Sequence, residues 1–375
     1  MTKIEIITDE QSILRFRLNP VHVSIANSLR RILLSEISAV IVKSYPHDEN
    51  QCNITINNTR FTNEMIKQRI SSLPIHIHEE TTQEYEGKQE EEETVPAAQP
   101  IWQLYQIKCK KINTSDQMVF VTTADLELVH KTTGEQMAKP QRDQIFPPDE
   151  HGYYIDILRL RPQLAESIPG EEIEFTCDMS ISNAKDDSMY NVVSKATYEN
   201  TLDTLKANEA WEKVKLENPT ETKENWFLLD AKRYYIPNSF DFTIETVGVY
   251  TNKVLLNLAI QKMIEKLTDL IQNTEYPIKE SLSTIKHCYD VTLQKEDYTL
   301  GKVLEYLLYS MYFEGETATL TYLGFKKEHP HDDDSIIRIA FKEATDKDMV
   351  REKMRNAAAQ GIQLYNIIAA QIPSL

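Results

Sequence analysis

LNPVHVSIANSLRRILL, residues 18–34, and LQKEDYTLGKVLEYLLY, residues 293–309, lie over one another without a gap. In that register Ser24 stands over Thr299, Ile25 over Leu300, Ala26 over Gly301, Leu29 over Leu304, and Ile32 and Leu33 over Leu307 and Leu308. Ile25, Leu29, Ile32, Leu33 and Ile37 share one side of a helix. Ser24 and Thr299 carry the hydroxyl expected of an N-cap, which accepts a free N–H of the first turn. Upstream, Ile13, Arg15 and Arg17 alternate with Leu14, Phe16 and Leu18, the mark of a half-buried strand that Asn19-Pro20 ends. Downstream, AVIVKS at residues 39–44 reads as another strand.

Both copies continue alike. Phe240, Phe242 and Ile244 alternate ahead of VYTNKVLLNLAIQKMIEKLTDLIQ, where Leu255, Leu258, Ala259, Met263, Leu267, Leu270 and Ile271 form a stripe along a helix. IIRIAF, residues 336–341, likewise precedes a helix with Val350, Met354, Ala357, Ala358, Tyr365 and Ile368 on one stripe. A small sheet with two helices on one side leaves part of that stripe uncovered, and a second such unit closes a shared core. The expected fold is therefore α+β: two related strand–helix dimerisation modules paired about a pseudo-two-fold axis, with a mainly β insert domain in the first. Residues 1–79 with 226–275 form the first module, 80–225 the insert and 276–375 the second module. The pairing surface is expected at Leu29, Leu33, Leu255, Ala259, Leu300, Leu304, Leu308 and Ala358.

Residues 79–100, rich in charge and proline, read as an exposed loop. Several β-like runs follow, clearest in EEIEFTCDMSI, where Ile173, Phe175, Cys177, Met179 and Ile181 alternate with polar residues. The formal charge of −17 repels phosphate backbones on average. Cys52, Cys109, Cys177 and Cys288 form no C-x-x-C pair and read as buried reduced thiols. MTKIEIITDEQ lacks the basic and apolar regions of a secretory signal, and no long apolar run is present, so a soluble intracellular protein without membrane contact is expected.

Two clusters invite a catalytic or metal reading: His76 and His78 in PIHIH, and His329 and His331 with Asp332, Asp333 and Asp334 beyond them. The first lacks a third ligand and the second sits in a turn-like context, so no metal, cofactor or catalytic residue is expected. Phosphate-binding and nucleophile-elbow motifs are absent, and nine glycines leave little material for phosphate-cradling loops.

SIANSLRRILLSEIS, residues 24–38, resembles the first helix of the α-type assembly chains of multisubunit RNA polymerases: the bacterial α N-terminal domain, its archaeal D-type counterpart and the third-largest eukaryotic subunit. FTNEMIKQRISSLPIHI, residues 61–77, resembles a second family segment through Glu64, Arg69, Leu73 and Pro74, with Asn63 in place of its first acid. The C-terminal unit is similar to the smaller partner, the archaeal L-type chain, through EDYTLGKVLEYLL, YLGFKKEHP with Gly324, His329 and Pro330, and IIRIAF. The resemblance covers most of residues 10–80 and 226–375. A fusion of the two halves looks like the arrangement in polymerases of large DNA viruses, which would place the protein in the viral factory of the host cytoplasm and in the virion.

The resemblance implies a non-catalytic assembly scaffold. It would hold the second-largest polymerase subunit and small accessory subunits, with the largest subunit a further contact and DNA met only through the polymerase. The family's contact to the large subunit falls on Asn27, Arg30 and Arg31. The clustered-cysteine metal site of many relatives has no counterpart here, and their His-Ala-Lys-Trp-Ser-Pro-like segment survives only as a trace in SNAKDDSMYNVVSKATY. Two other readings compete: a DNA-binding transcription regulator with the helix around Arg30 in a groove, and an autonomous enzyme built on a histidine cluster.

Overall fold

A computed structural model of the chain describes residues 2–10, 12–77, 100–163, 165, 170–217, 220, 222–273, 275–315 and 318–372. The chain forms two compact units, Met1–Glu36 with Val193–Glu245 and Asn252–Leu375, and Ile37–Val192 with Thr246–Thr251.

The first unit holds two sheets with the same topology. The first runs through β1 (Lys3–Glu10), β2 (Ile13–Asn19), α1 (Val23–Ser35), β3 (Val193–Leu202), α2 (Thr204–Glu217), α3 (Lys223–Leu228), β4 (Tyr235–Thr246) and α4 (Asn252–Gln272). The second runs through β5 (Ile278–Glu280), β6 (Cys288–Leu293), α5 (Tyr298–Tyr312), β7 (Leu320–Lys326), β8 (Ser335–Phe341) and α6 (Lys347–Ala369). Strand order is β1-β2-β4-β3 in one sheet and β5-β6-β8-β7 in the other. In each sheet the two central strands pair antiparallel, Phe242 opposite Phe16 and Ile337 opposite Val291.

Alternation along β2 buries Leu14, Phe16 and Leu18, each at 0% exposure, and Phe16 stacks on Phe242 with ring centroids 4.9 Å apart. The opposite face carries charge: Arg17 holds Asp241 across the first sheet, and Arg338 holds Asp290 across the second. α1 packs on α4 and α5, and α6 packs on α4 and α5, so the helices of the two modules meet and close one core. Each Leu or Ile buried there contributes about 1.5–3 kcal/mol.

The second unit is mainly β. Its largest sheet runs Cys52–Asn57, Glu172–Cys177, Tyr105–Ile112, Glu127–His130; two further strand pairs join Val119–Thr122 to Asp156–Leu160 and Ser38–Ile41 to Ser180–Asn183. The units divide where pairing dictates rather than where composition shifts. Ser38–Ile41 is drawn to Ser180–Asn183, and Val193–Leu202 joins the first sheet. The fold class is thus α+β, two related modules with a β insert. Among the described residues no helix is long and apolar enough to cross a membrane.

Candidate partner interface

The cap of α1 lies two residues before the expected one. His22, in extended conformation, accepts the Ser24 N–H on Nδ1 at 3.2 Å, and Ser24 lies within the first turn. α5 repeats the shift: Asp297, not Thr299, is the cap, its carboxylate accepting the Thr299 N–H at 2.8 Å. Both residues stand two positions before Ser24 and Thr299 and place an acceptor over the second helical N–H. His22 and Asp297 share one position in the register of Leu18 over Leu293, so the repeat persists with its caps relocated. Burial lowers the His22 pKa, which favours the neutral ring that capping through Nδ1 requires.

Asn27, Arg30 and Arg31 all lie on α1 and point to different tasks. Asn27 Oδ1 accepts from Arg30 Nε at 3.0 Å and Nη2 at 2.9 Å, which braces the Arg30 fork along the helix. Arg31 turns into the second module, where Nε donates to Thr299 Oγ1 at 2.9 Å and Nη2 pairs with the Asp297 carboxylate. Burial works to raise the pKa of that carboxyl, but the Thr299 hydrogen bonds and the Arg31 charge outweigh it and hold the group below the ordinary range. Arg31 therefore spends its fork inside the chain, on the second module.

Leu29, Leu33, Leu255, Ala259, Leu300, Leu304, Leu308 and Ala358 are each no more than 2% exposed, on the helices that bring the two modules together. Polar contacts escaped the periodicity. Ser28 Oγ lies 2.6 Å from Tyr365 Oη on α6. Lys266 on α4 sits between Glu36, 2.9 Å away at the end of α1, and Glu296, 2.8 Å away in the β6–α5 loop. Burial alone would lower the Lys266 pKa; Glu296 and Glu36 reverse this and raise it. Glu296 and Asp297, adjacent in sequence, thus grip one cation each from the first module. The E-D pair before Tyr298 was the available signal, but two consecutive acids ahead of a helix read equally well as solvated charge.

An open groove of about 540 Å³ runs beside α1, lined by His22, Asn27, Tyr198, Glu305, Tyr306 and Tyr309 among others. Burial raises the Tyr198 pKa against the opposing effect of Arg30, so its hydroxyl stays neutral at neutral pH. The groove floor thus offers rings and hydroxyls, with the braced Arg30 fork close to Tyr198. Such a surface fits backbone carbonyls or a carboxylate of a protein segment.

The histidine clusters lead elsewhere. His76 lies outside any strand, its N–H donating to the Ile145 carbonyl at 3.0 Å, and His78 falls outside the described residues. The Asp332 carboxylate accepts the His329 N–H at 2.9 Å, and that of Asp334 the Lys295 N–H at 2.9 Å, so both serve turns. All four cysteines are free and buried; Cys52 opposes Cys177 across neighbouring strands, and burial pushes Cys109 up to about 12, far from the thiolate a metal needs. Among the described residues no group of three or more His, Cys, Asp or Glu side chains is placed to hold a metal ion.

A curated relative is similar over most of the chain: a DNA-directed RNA polymerases I and III subunit, rpac1, of Dictyostelium discoideum. It is 23% identical over 295 residues, which cover 70% of this chain and 79% of the relative. The RNA polymerase Rpb3/Rpb11 dimerisation domain matches residues 15–267, from the buried face of β2 through the insert to the last turns of α4. With two thirds of its length in that match and its first helix built for pairing, the chain belongs to the RNA polymerase Rpb3/Rpb11 dimerisation domain family.

Proposed function

We propose that the chain is a non-catalytic assembly platform of a DNA-directed RNA polymerase in which the larger and smaller halves of an assembly heterodimer are covalently joined. The second module carries this reading. The family match ends at residue 267, yet the strands and helices from Ile278 to Ala369 repeat the strand order and the two long helices of the first module, without its α2 and α3, and pack against its helices. Joining the halves makes their pairing nearly independent of dilution.

The partner we infer for the groove and the Asn27–Arg30 brace is the second-largest polymerase subunit. Small accessory subunits would flank it, and the largest subunit would be a further contact. Catalysis and DNA binding then belong to those subunits, in keeping with a net charge of −17. The engagement of Arg31 with Asp297 also weighs against α1 as a DNA-reading helix, since the fork is already occupied. A joined pair fits a large DNA virus, with action in the viral factory of the host cytoplasm.

The test is co-expression with the cognate second-largest subunit. A stable one-to-one complex is expected, and Asn27→Ala combined with Arg30→Ala should reduce its recovery about tenfold while thermal unfolding of the chain alone stays near native. Full recovery with the double variant would remove this face from the interface. No complex with the native chain would sink the platform reading itself.

A further inference from the structure

The two modules touch through contacts related by the same exchange that relates the modules, yet the chemistry differs on its two sides. In the register of Leu18 over Leu293, His22 corresponds to Asp297 and Arg31 to Tyr306. Asp297 holds Arg31. His22 stacks on Tyr306, with ring centroids 3.9 Å apart and planes 1° from parallel. This is the reciprocal pattern of an isologous interface, in which i meets j and j meets i, filled once by an ion pair and once by two rings.

A third position breaks the symmetry as well. Phe240 pairs with Leu18 and Ser335 with Leu293, and α4 and α6 start equally far beyond those residues, so Lys266 corresponds to Gly361. Lys266 reaches Glu296. At Gly361 a Cβ would stand 2.9 Å from Leu267 Cδ1 and 3.0 Å from Leu307 Cδ1.

We propose that these three position pairs make the pairing selective: the first module accepts a module presenting consecutive acids before its first helix and glycine on its last, and neither module pairs with a second copy of itself. Two first modules would twice leave Arg31 facing His22 without a carboxylate, and would set Lys266 of each against Leu267 of the other, the side chain that leaves no room for a Cβ at Gly361. Two second modules would twice set Asp297 against Tyr306 and leave Glu296 without its cation. The apolar faces cannot make this choice, because Leu29, Ile32 and Leu33 match Leu304, Leu307 and Leu308 in kind. Rejection by unpaired charge and steric overlap is how one interface discriminates between similar surfaces. The selection goes beyond the platform reading and holds whichever large subunit is carried.

Full-length chains bearing two different affinity tags, co-expressed and captured through one tag, read the selection directly. In the native chain pairing is internal and the second tag is left behind. Arg31→Glu keeps a helix former on α1, sets a carboxylate against Asp297 and offers one to His22 of another copy. Capture of the second tag should rise by about tenfold or more, with oligomers in light scattering and cross-links between first modules. Arg31→Glu with Asp297→Asn keeps the cap on α5, lets the amide donate to the new carboxylate, and should return most of the chain to monomer. If Arg31→Glu alone does not fold, recovery of a folded monomer by the double variant supports the proposal. An Arg31→Glu chain that stays monomeric without exchange overturns it, as does a double variant that recovers nothing; pairing would then be set by the apolar core.

Discussion

Ala26 and Gly301 occupy one position in the two modules and differ by a methyl group. Ala26 is wholly buried on α1. At Gly301 a Cβ would lie 2.0 Å from Phe325 Cε2 and 2.3 Å from Cδ2, so the ring on β7 fills the space a side chain would take. Phe325 is itself held edge-on by Tyr298, with centroids 5.1 Å apart. Gly301→Ala gains about 1 kcal/mol of helix propensity, against roughly 1–3 kcal/mol for overpacking and about 0.5–1.5 kcal/mol for a disturbed aromatic pair. A net loss of about 1 kcal/mol is expected, seen as a lower urea midpoint at unchanged slope; a raised midpoint would show that Phe325 yields freely. The ungapped register made the exchange visible, but not its reason. Which ring leans on which helix depends on strand order, and YLGFKK carries no mark of that.

At the scale of elements, periodicity was legible where one face is wholly apolar. β2 buries Leu14, Phe16 and Leu18 as its alternation implies, and α6 buries Val350, Met354, Ala357, Ala358, Tyr365 and Ile368. α2 escaped that reading because only Ala207 and Trp211 of its residues are buried, too sparse a stripe to declare a helix. Caps were misplaced because a hydroxyl was weighed above the ring or carboxylate two residues earlier. For Asp297 the difference has a pH signature. Its folded-state pKa is depressed, so the stabilisation it brings is present above its unfolded pKa of about 3.9 and is lost as pH falls through the lower folded value. Asp297→Asn keeps the cap but not the charge. The native chain should therefore unfold at a higher temperature than this variant near pH 7, with the gap closing below about pH 4; a gap that stays constant with pH would mean the carboxylate acts only as a cap.

For the whole molecule, the doubled element order was enough to imply two modules closing one core, because burying a shared stripe is a demand of composition alone. The polar bonds across that core were not legible, since Glu36, Lys266 and Glu296 come from three distant stretches and no spacing links them. Lys266 is 11% exposed, Glu36 9% and Glu296 20%, and the cation ties the end of α1, α4 and the β6–α5 loop of the second module. Its raised folded-state pKa makes the contribution fully present below the unfolded value of about 10.4, lost only as pH rises through the higher folded one. The pairing should accordingly be insensitive to pH through neutrality on this account. Removing the cation is another matter, because two carboxylates stay behind in a poorly hydrated space. Lys266→Met should cost about 3–5 kcal/mol, measured by denaturant unfolding. Adding Glu36→Gln and Glu296→Gln removes both stranded charges and should restore most of that loss, since an ion cluster replaced as a whole by neutral groups of similar volume is close to neutral. If the triple variant unfolds as easily as Lys266→Met, the stranded charges are not the cause of the loss.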